Sequence, residues 1–548
     1  MASKKKKASG VSIKVIFGLE QAANTPPPDD HILIVPDKDR WNDFNFRTKV
    51  GVYARVGGKD WSGLAYIGFL TDTVGGPADV DAITQQFDSN SELTIPVMES
   101  TRFFTMLPSM NAYREVVYTY GPDIAVRILR AMRDLVVLRE FPTKANWLNL
   151  AINSQVFQRS FMRTSESFFT FHNAGTILRG LDKEESGHLS NSIGINFRLP
   201  GRESDHQLVF HFDRQDDLPK RIAVVIGKNG VGKSQTLGRI VTAALKGHGA
   251  LIDADTGHRP FINRLMAFAP TNEAKSAFPS DRQRRPSIWY KRFALNRSER
   301  NSRGDGIAGT IVQVARSEEH IRNISRWEIF LDAITAIHRW EEIQLPGVDG
   351  YMPMRDLRSA GEAEILQKLA FVNQKKDPVR VIAGKGYPLS SGEISFLRFA
   401  AQASLHIENG SLLLLDEPET HLHPNFISQI VLLLDNLLRL TSSAAIIATH
   451  SVYFVREVFP SQVTVLSVDE RGGVLAVKPR LQTFGADVGS ISYFVFGEDE
   501  PSRLASRVES QLLKNFKNWD ELYRRYKDEL STEVLGELRE AMEAREKK

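Results

Sequence analysis

Ile222-Ala-Val-Val-Ile226 runs straight into Gly227-Lys228-Asn229-Gly230-Val231-Gly232-Lys233-Ser234, and this stretch decides the fold. The eight residues fit G-x-x-x-x-G-K-[ST], a loop that cradles phosphate. The apolar run before it reads as a buried strand. After it, Leu237, Ile240, Val241, Ala244 and Leu245 share one face of a helix. Glycines let the backbone come close to an anion, and the N–H groups at the helix start point at it. Lys233 is placed to reach the β- and γ-phosphates, and the Ser234 hydroxyl to bind Mg²⁺. The expected ligands are therefore ATP and Mg²⁺.

Working outward, 548 residues suffice for two to four domains with a large core. Hydrophobic residues make up 42% and charged residues 25%, the balance of a soluble globular chain. A formal net charge of +4 gives no global basic field that would demand nucleic acid. The absence of cysteine excludes disulfides and thiolate zinc sites and suits the cytoplasm. No apolar run is long enough to span a membrane. Lys4 to Lys7 read as a solvated basic tail.

Residues 1–180 form an accessory region of unstated role. Val11–Phe17, His31–Val35, Val50–Val56 and Leu64–Leu70 read as strands, and Tyr113–Leu150 mainly as helix. His172-Asn173 reads as a satisfied polar pair. Ser192–Arg198 and Gln207–Phe212 read as a hairpin feeding the phosphate-loop strand. Within an insert at about 270–388, Arg282, Arg284, Arg285, Lys291, Arg292, Arg297 and Arg300 are interleaved with Trp289, Tyr290 and Phe293. That pattern suits a basic surface loop, a nucleic-acid contact at 282–300, or an acidic protein partner. Trp327–Gln344 reads as helical.

A second constellation lies downstream. Leu412 to Leu415 suit a central strand buried on both faces, and Asp416-Glu417 stand at its carboxyl end. Asp416 can hold Mg²⁺ through water, and Glu417 can orient or deprotonate the attacking water. Ala444–Ala448 is another buried strand, and His450 just beyond it can meet the γ-phosphate. Leu389-Ser390-Ser391-Gly392-Glu393 opens an apolar-faced helix whose N-terminus suits a further anion. The phosphate loop already fills its own site, so the economical explanation is that this helix start serves a second chain's nucleotide.

Together these elements resemble an ABC-type ATPase, with Walker A at 227–234, signature at 389–393, Walker B at 411–417 and a switch histidine at 450. Asp416-Glu417-Pro418-Glu419-Thr420-His421-Leu422-His423-Pro424 resembles the OLD-like branch, as does Gly485–Gly489 followed by Val495-Phe496-Gly497. Such heads occur in anti-phage systems of the Septu, retron, Gabija and PARIS types. The resemblance covers about 190–500. It implies an α/β P-loop NTPase head at 181–500 with a mostly parallel central sheet, an antiparallel β subdomain and a helical insert. An N-terminal α+β region precedes the head and helices at 501–548 follow it.

The resemblance also implies a homodimer or larger homo-oligomer around ATP. Gly227 to Gln235 would bind the nucleotide, and Ser390, Ser391, Gly392 and Glu393 would act in trans. Ser391 departs from the family's glycine, and Gln235 stands where many members carry Thr. Gln313 is the candidate for the family's Q-loop. His421 and His423, two apart in a turn, read as structure or dimer contact.

OLD-type nucleases carry a Toprim domain after the ATPase. Here Glu498, Asp499 and Glu500 are adjacent and read as a solvated turn. The expectation is an ATPase that regulates a separate nuclease or toxin. The alternatives are an SMC-like DNA-repair ATPase and a nucleotide-switched scaffold with negligible turnover.

Overall fold

The computed structural model describes residues 12–38, 45–70, 78–87, 92–142, 147–181, 184, 189–198, 205–213, 218, 220–247, 249–269, 278–282, 286–295, 306–359, 361–420, 425–468, 473–496 and 503–546. Lys4 to Lys7, Arg284, Arg285, Arg297, Arg300, His421 to Pro424 and Gly497 to Glu500 lie outside these.

The phosphate-loop strand, Ile222–Gly227, sits inside a seven-stranded sheet. Its order is Trp289–Ala294, Arg264–Ala269, Leu412–Asp416, Ala444–Thr449, Ile222–Gly227, Val463–Val468, Val474–Val477. The first six strands run parallel, and only the last pair is antiparallel. Strands buried on both faces need no polar alternation, which is why these segments are continuous apolar runs.

Side chains alternate between two cores. Val224, Ile226, Leu413, Leu415, Ala445 and Ile447 face one, built with helices Ile307–Arg316, Arg326–Ile334, Ser391–His406 and Asn425–Thr441. Ala223, Val225, Leu412, Leu414, Ile446 and Ala448 face the other. That side holds helix Lys233–Lys246 and an antiparallel sheet of Leu251–Asp253, Ser192–Arg198 and Asp205–His211. The expected hairpin is thus present. The whole is the fold of an ABC-type P-loop NTPase.

Two segments differ from their sequence reading. Trp289–Ala294 is the edge strand of the central sheet, although it carries Lys291 and Arg292. The Lys291 ammonium meets His406 Nε2 at 2.8 Å and Arg292 donates to the Phe278 carbonyl at 3.1 Å. These cations are engaged by the head itself. The segment 327–344 is α-helical only through Ile334, takes a short 3-10 turn at Trp340–Glu342, and enters the strand Ile343–Pro346. That strand joins an antiparallel sheet with Tyr351–Pro353, Val379–Ile382 and Lys385–Pro388.

The accessory region has its own core. Six strands are ordered Thr94–Pro96, Lys14–Gly18, His31–Pro36, Lys49–Val56, Lys59–Phe69, Phe103–Met106. Gly57 and Gly58, at φ 59° and 73°, turn the central hairpin, a conformation that glycine adopts without a Cβ penalty. Helices Met110–Tyr120, Pro122–Ala131, Leu135–Glu140 and Trp147–Ile152 occupy the stretch read as helical and pack on the sheet. His172 Nδ1 meets the Phe168 carbonyl at 2.9 Å, and Asn173 donates to the Phe169 carbonyl at 3.0 Å, so the pair is satisfied locally.

Arg114, from helix Met110–Tyr120, joins the accessory region to the head. It donates to Glu184 at 2.7 Å and to Glu408 at 2.9 Å, and all three side chains are at most 4% exposed. Asn409 also donates to Glu184. Burial alone would raise the Glu408 carboxyl; Arg114, with Arg264 behind it, overrides this and holds it down at about 2. Glu408 and Asn409 immediately precede Ser411 and the strand Leu412–Asp416.

Helices Arg503–Asn515, Trp519–Tyr526 and Thr532–Glu546 close a small separate core around Leu512, Leu522, Leu535, Leu538 and Met542. The Leu504, Val508, Leu512, Phe516 spacing is carried by the first of them and its exit. Among the described residues no helix is long and apolar enough to cross a membrane.

Candidate functional site

Strand register assembles one sheet edge. Asp416 pairs with Ala448, and Thr449 pairs with Ile226. The chain segments that follow are therefore neighbours: Glu417, His450 and the loop from Gly227. Ligands of open α/β sheets bind at this carboxyl edge.

The loop has the backbone that its glycines permit. Gly230 and Gly232 hold φ of 82° and 99°. A Cβ on Gly227 would lie 2.3 Å from the Leu466 carbonyl oxygen. Gly232 precedes helix Lys233–Lys246 and offers no side-chain cap, so first-turn N–H groups remain for an anion. Lys233 is 5% exposed and donates to the carbonyls of Gly227 and Lys228 at 2.8 and 3.1 Å. Burial lowers its pKa, against the pull of Glu417, Glu419 and Asp416. Val231 is buried, while Lys228, Asn229 and Gln235 are exposed. Thr236 is buried and donates to the Gly232 carbonyl at 2.9 Å, so its hydroxyl is occupied.

The Ser234 hydroxyl donates to Asp416 Oδ1 at 2.8 Å across 182 residues of sequence. Burial raises the Asp416 carboxyl to about 6; the Ser234 bond opposes this, and Glu417 and Glu419 add to it. Glu417 has φ +44°, left-handed for a residue with a full side chain, and its N–H donates to the Ala448 carbonyl at 2.8 Å. Such backbone strain is of order 1–3 kcal/mol and concentrates at functional sites.

His450 stands over this edge, its Nδ1 at 3.1 Å from Glu419 Oε1 and 3.8 Å from Glu417 Oε1. Three carboxylates, Asp416, Glu417 and Glu419, gather where Lys233 supplies the cation. A hydroxyl, a buried carboxylate and excess negative charge beside an anion-binding helix start are a donor set that fits magnesium-bound triphosphate. Ser234 and Asp416 would hold the metal, which would neutralise charge on the transferring phosphoryl group.

The signature residues lie elsewhere on the chain. Ser390 caps helix Ser391–His406 in a reciprocal box with Glu393, whose N–H donates to the Ser390 hydroxyl at 3.3 Å. Glu393 Oε2 accepts from the Ser390 N–H at 2.9 Å, and Glu393 Oε1 accepts from Arg380 at 2.6 Å. Burial would raise the Glu393 carboxyl, but the Arg380 and Ser390 hydrogen bonds outweigh it and lower its pKa. Ser390 and Ser391 are exposed and Gly392 is buried, so the helix start is presented outward with its glutamate turned onto its own cap. Gln313, the Q-loop candidate, is on helix Ile307–Arg316.

Sequence reading passed over Glu419, which is 7% exposed and sits beneath Thr449 and His450. The signal was its place three residues after Asp416, within the same turn.

The fold is that of an ABC-type P-loop NTPase head. A family model described as "AAA domain, putative AbiEii toxin, Type IV TA system" matches residues 315–456, which include Ser390 to Glu393, the strand Leu412–Asp416 and His450. The chain is similar to Protein ea59 of Escherichia phage lambda, at 24% identity over 487 residues, covering 84% of this chain and 85% of that protein. Among solved structures, "a putative metal-chelate type ABC transporter" in an inward-facing conformation is matched over 53% of this chain and 84% of its own, at 14% identity and TM-score 0.24. UvrA2 from Deinococcus radiodurans is matched over 58% of this chain and 39% of its own, at 15% identity and TM-score 0.26.

Proposed function

We propose that this chain hydrolyses ATP, joins a second copy around the nucleotide, and uses that cycle to regulate a separate nuclease or toxin, in the manner of OLD-like anti-phage ATPases. The observation that carries the reading is the Ser234–Asp416 contact, with Lys233, Glu417 and His450 at the same sheet edge. In this reading Gly227 to Gln235 hold the triphosphate, and Ser234 and Asp416 hold Mg²⁺. Glu417 activates water, His450 contacts the γ-phosphate, and Ser390 to Glu393 serve the partner's site. The matching family's description names a putative toxin and a toxin–antitoxin system, which supports a link to toxin biology. Steady-state phosphate release by the full chain, lost in Lys233→Ala, tests the activity; no release from the wild-type chain would leave only the scaffold reading.

The two-copy site makes a sharper prediction. Lys233→Ala and Gly392→Asp should each be inactive alone. Mixed in equal amounts, half the dimers are heterodimers and each contains one intact composite site, so activity should return to roughly a quarter of wild type. No recovery on mixing, with proven subunit exchange, would rule out the trans signature.

Asp416 gives a pH dependence. Its raised carboxyl means that, without a cation, its ionisation opposes folding as pH rises from 3.8 through about 6. Magnesium needs the carboxylate, so Mg²⁺-ATP affinity should fall as pH drops below about 6, by up to about tenfold per unit, while ATP with EDTA changes less. Calorimetry in buffers of different ionisation enthalpy should show proton release on Mg²⁺-ATP binding near pH 6.

A further inference from the structure

We infer that Glu419 is a positioning residue that fixes the ring orientation and tautomer of His450; the inference rests on the γ-phosphate role proposed for that histidine.

Three groups converge on one oxygen. Glu419 Oε1 accepts the Thr449 hydroxyl at 2.5 Å and the His450 backbone N–H at 3.0 Å, and lies 3.1 Å from His450 Nδ1. An unprotonated Nδ1 would turn its lone pair on the carboxylate oxygen 3.1 Å away, so this placement favours the hydrogen on Nδ1. That leaves Nε2 as the ring atom free to take a proton from water or, once protonated, to donate to a phosphate. The other oxygen, Oε2, is buried and has no partner among the described residues.

Backbone geometry makes this arrangement. The left-handed turn at Glu417 reverses the chain after the strand, and the Thr420 N–H closes it on the Glu417 carbonyl at 3.1 Å. Glu419 is thereby delivered under the end of the neighbouring strand Ala444–Thr449. The glutamate is 6% exposed at its side chain and the histidine 50%, so a fixed buried group orients a solvent-facing one. Hydrogen bonds to a carboxylate are charge-assisted and strong; the Thr449 hydroxyl and the His450 N–H fix this oxygen, and the 3.1 Å ion-pair contact sets the ring beside it.

The test is imidazole ¹⁵N NMR of the full-length, nucleotide-free chain above the imidazole titration, with His450 assigned by its loss in His450→Asn. The expected wild-type signal is the Nδ1–H tautomer, converting to Nε2–H in Glu419→Met, which removes the acceptor and keeps the volume. An Nε2–H wild-type signal overturns the proposal with no variant needed, as does an unchanged tautomer in a folded Glu419→Met. In turnover, Glu419→Gln should lower kcat on the order of a hundredfold, with ATP affinity within about threefold. The double variant Glu419→Gln/His450→Asn should lose no more than the worse single; multiplicative losses would overturn the coupling. If the wild-type chain released no phosphate, the ATPase reading would fail, while the tautomer would still decide this one.

Discussion

Glu417→Gln should bind ATP within about threefold of wild type while turnover falls by about 10²–10⁴, the range for removing a general base. The substitution keeps the side chain's shape and the N–H bond to the Ala448 carbonyl, so the turn is preserved. Only the negative charge and one of the two accepting oxygens are lost. A stalled nucleotide should also hold two copies together, so the variant should shift to the larger species on size-exclusion chromatography with Mg²⁺-ATP. Wild-type turnover in this variant would remove Glu417 from its assigned role. The φ of +44° strengthens the argument. Glycine would adopt this conformation without strain, so a glutamate here carries a backbone cost of the kind found at functional sites.

The second large effect is on stability. Arg114→Ala should destabilise the chain by about 3–5 kcal/mol, because it leaves Glu184 and Glu408 buried with their shared cation gone. Denaturant unfolding measures it, and a loss below about 1 kcal/mol would show that the cluster is dispensable. The acid side has a defined sign. The Glu408 carboxyl is depressed from 4.5 to about 2, so its stabilisation is complete above about 4.5 and is lost as pH falls toward 2. Glu408→Gln should flatten that part of the stability curve.

The central sheet was legible because burial on both faces writes itself as an unbroken apolar run with an abrupt polar end. Ile222–Ile226, Leu412–Leu415 and Ala444–Ala448 show this, and their ends carry the residues that the register brings together. The edge strand Trp289–Ala294 was hidden because an edge tolerates charge: Lys291 and Arg292 look like loop chemistry until His406 and the Phe278 carbonyl engage them. At the signature, S-x-x-E spacing from Ser390 to Glu393 could have revealed the capping box, and with it that Glu393 serves its own helix. Glu419 was not legible as a contact of His450. That contact depends on one left-handed residue, and no pattern of residue types specifies such a turn.

The buried cluster at Glu408 has a mechanical side. A β-strand is nearly inextensible, and Leu412–Asp416 spans about 17 Å. The residues that lead into it are tied through Glu408 to Arg114 on the accessory helix Met110–Tyr120, and its far end carries Asp416. The strand thus lies in series between the accessory region and the carboxylate that touches Ser234.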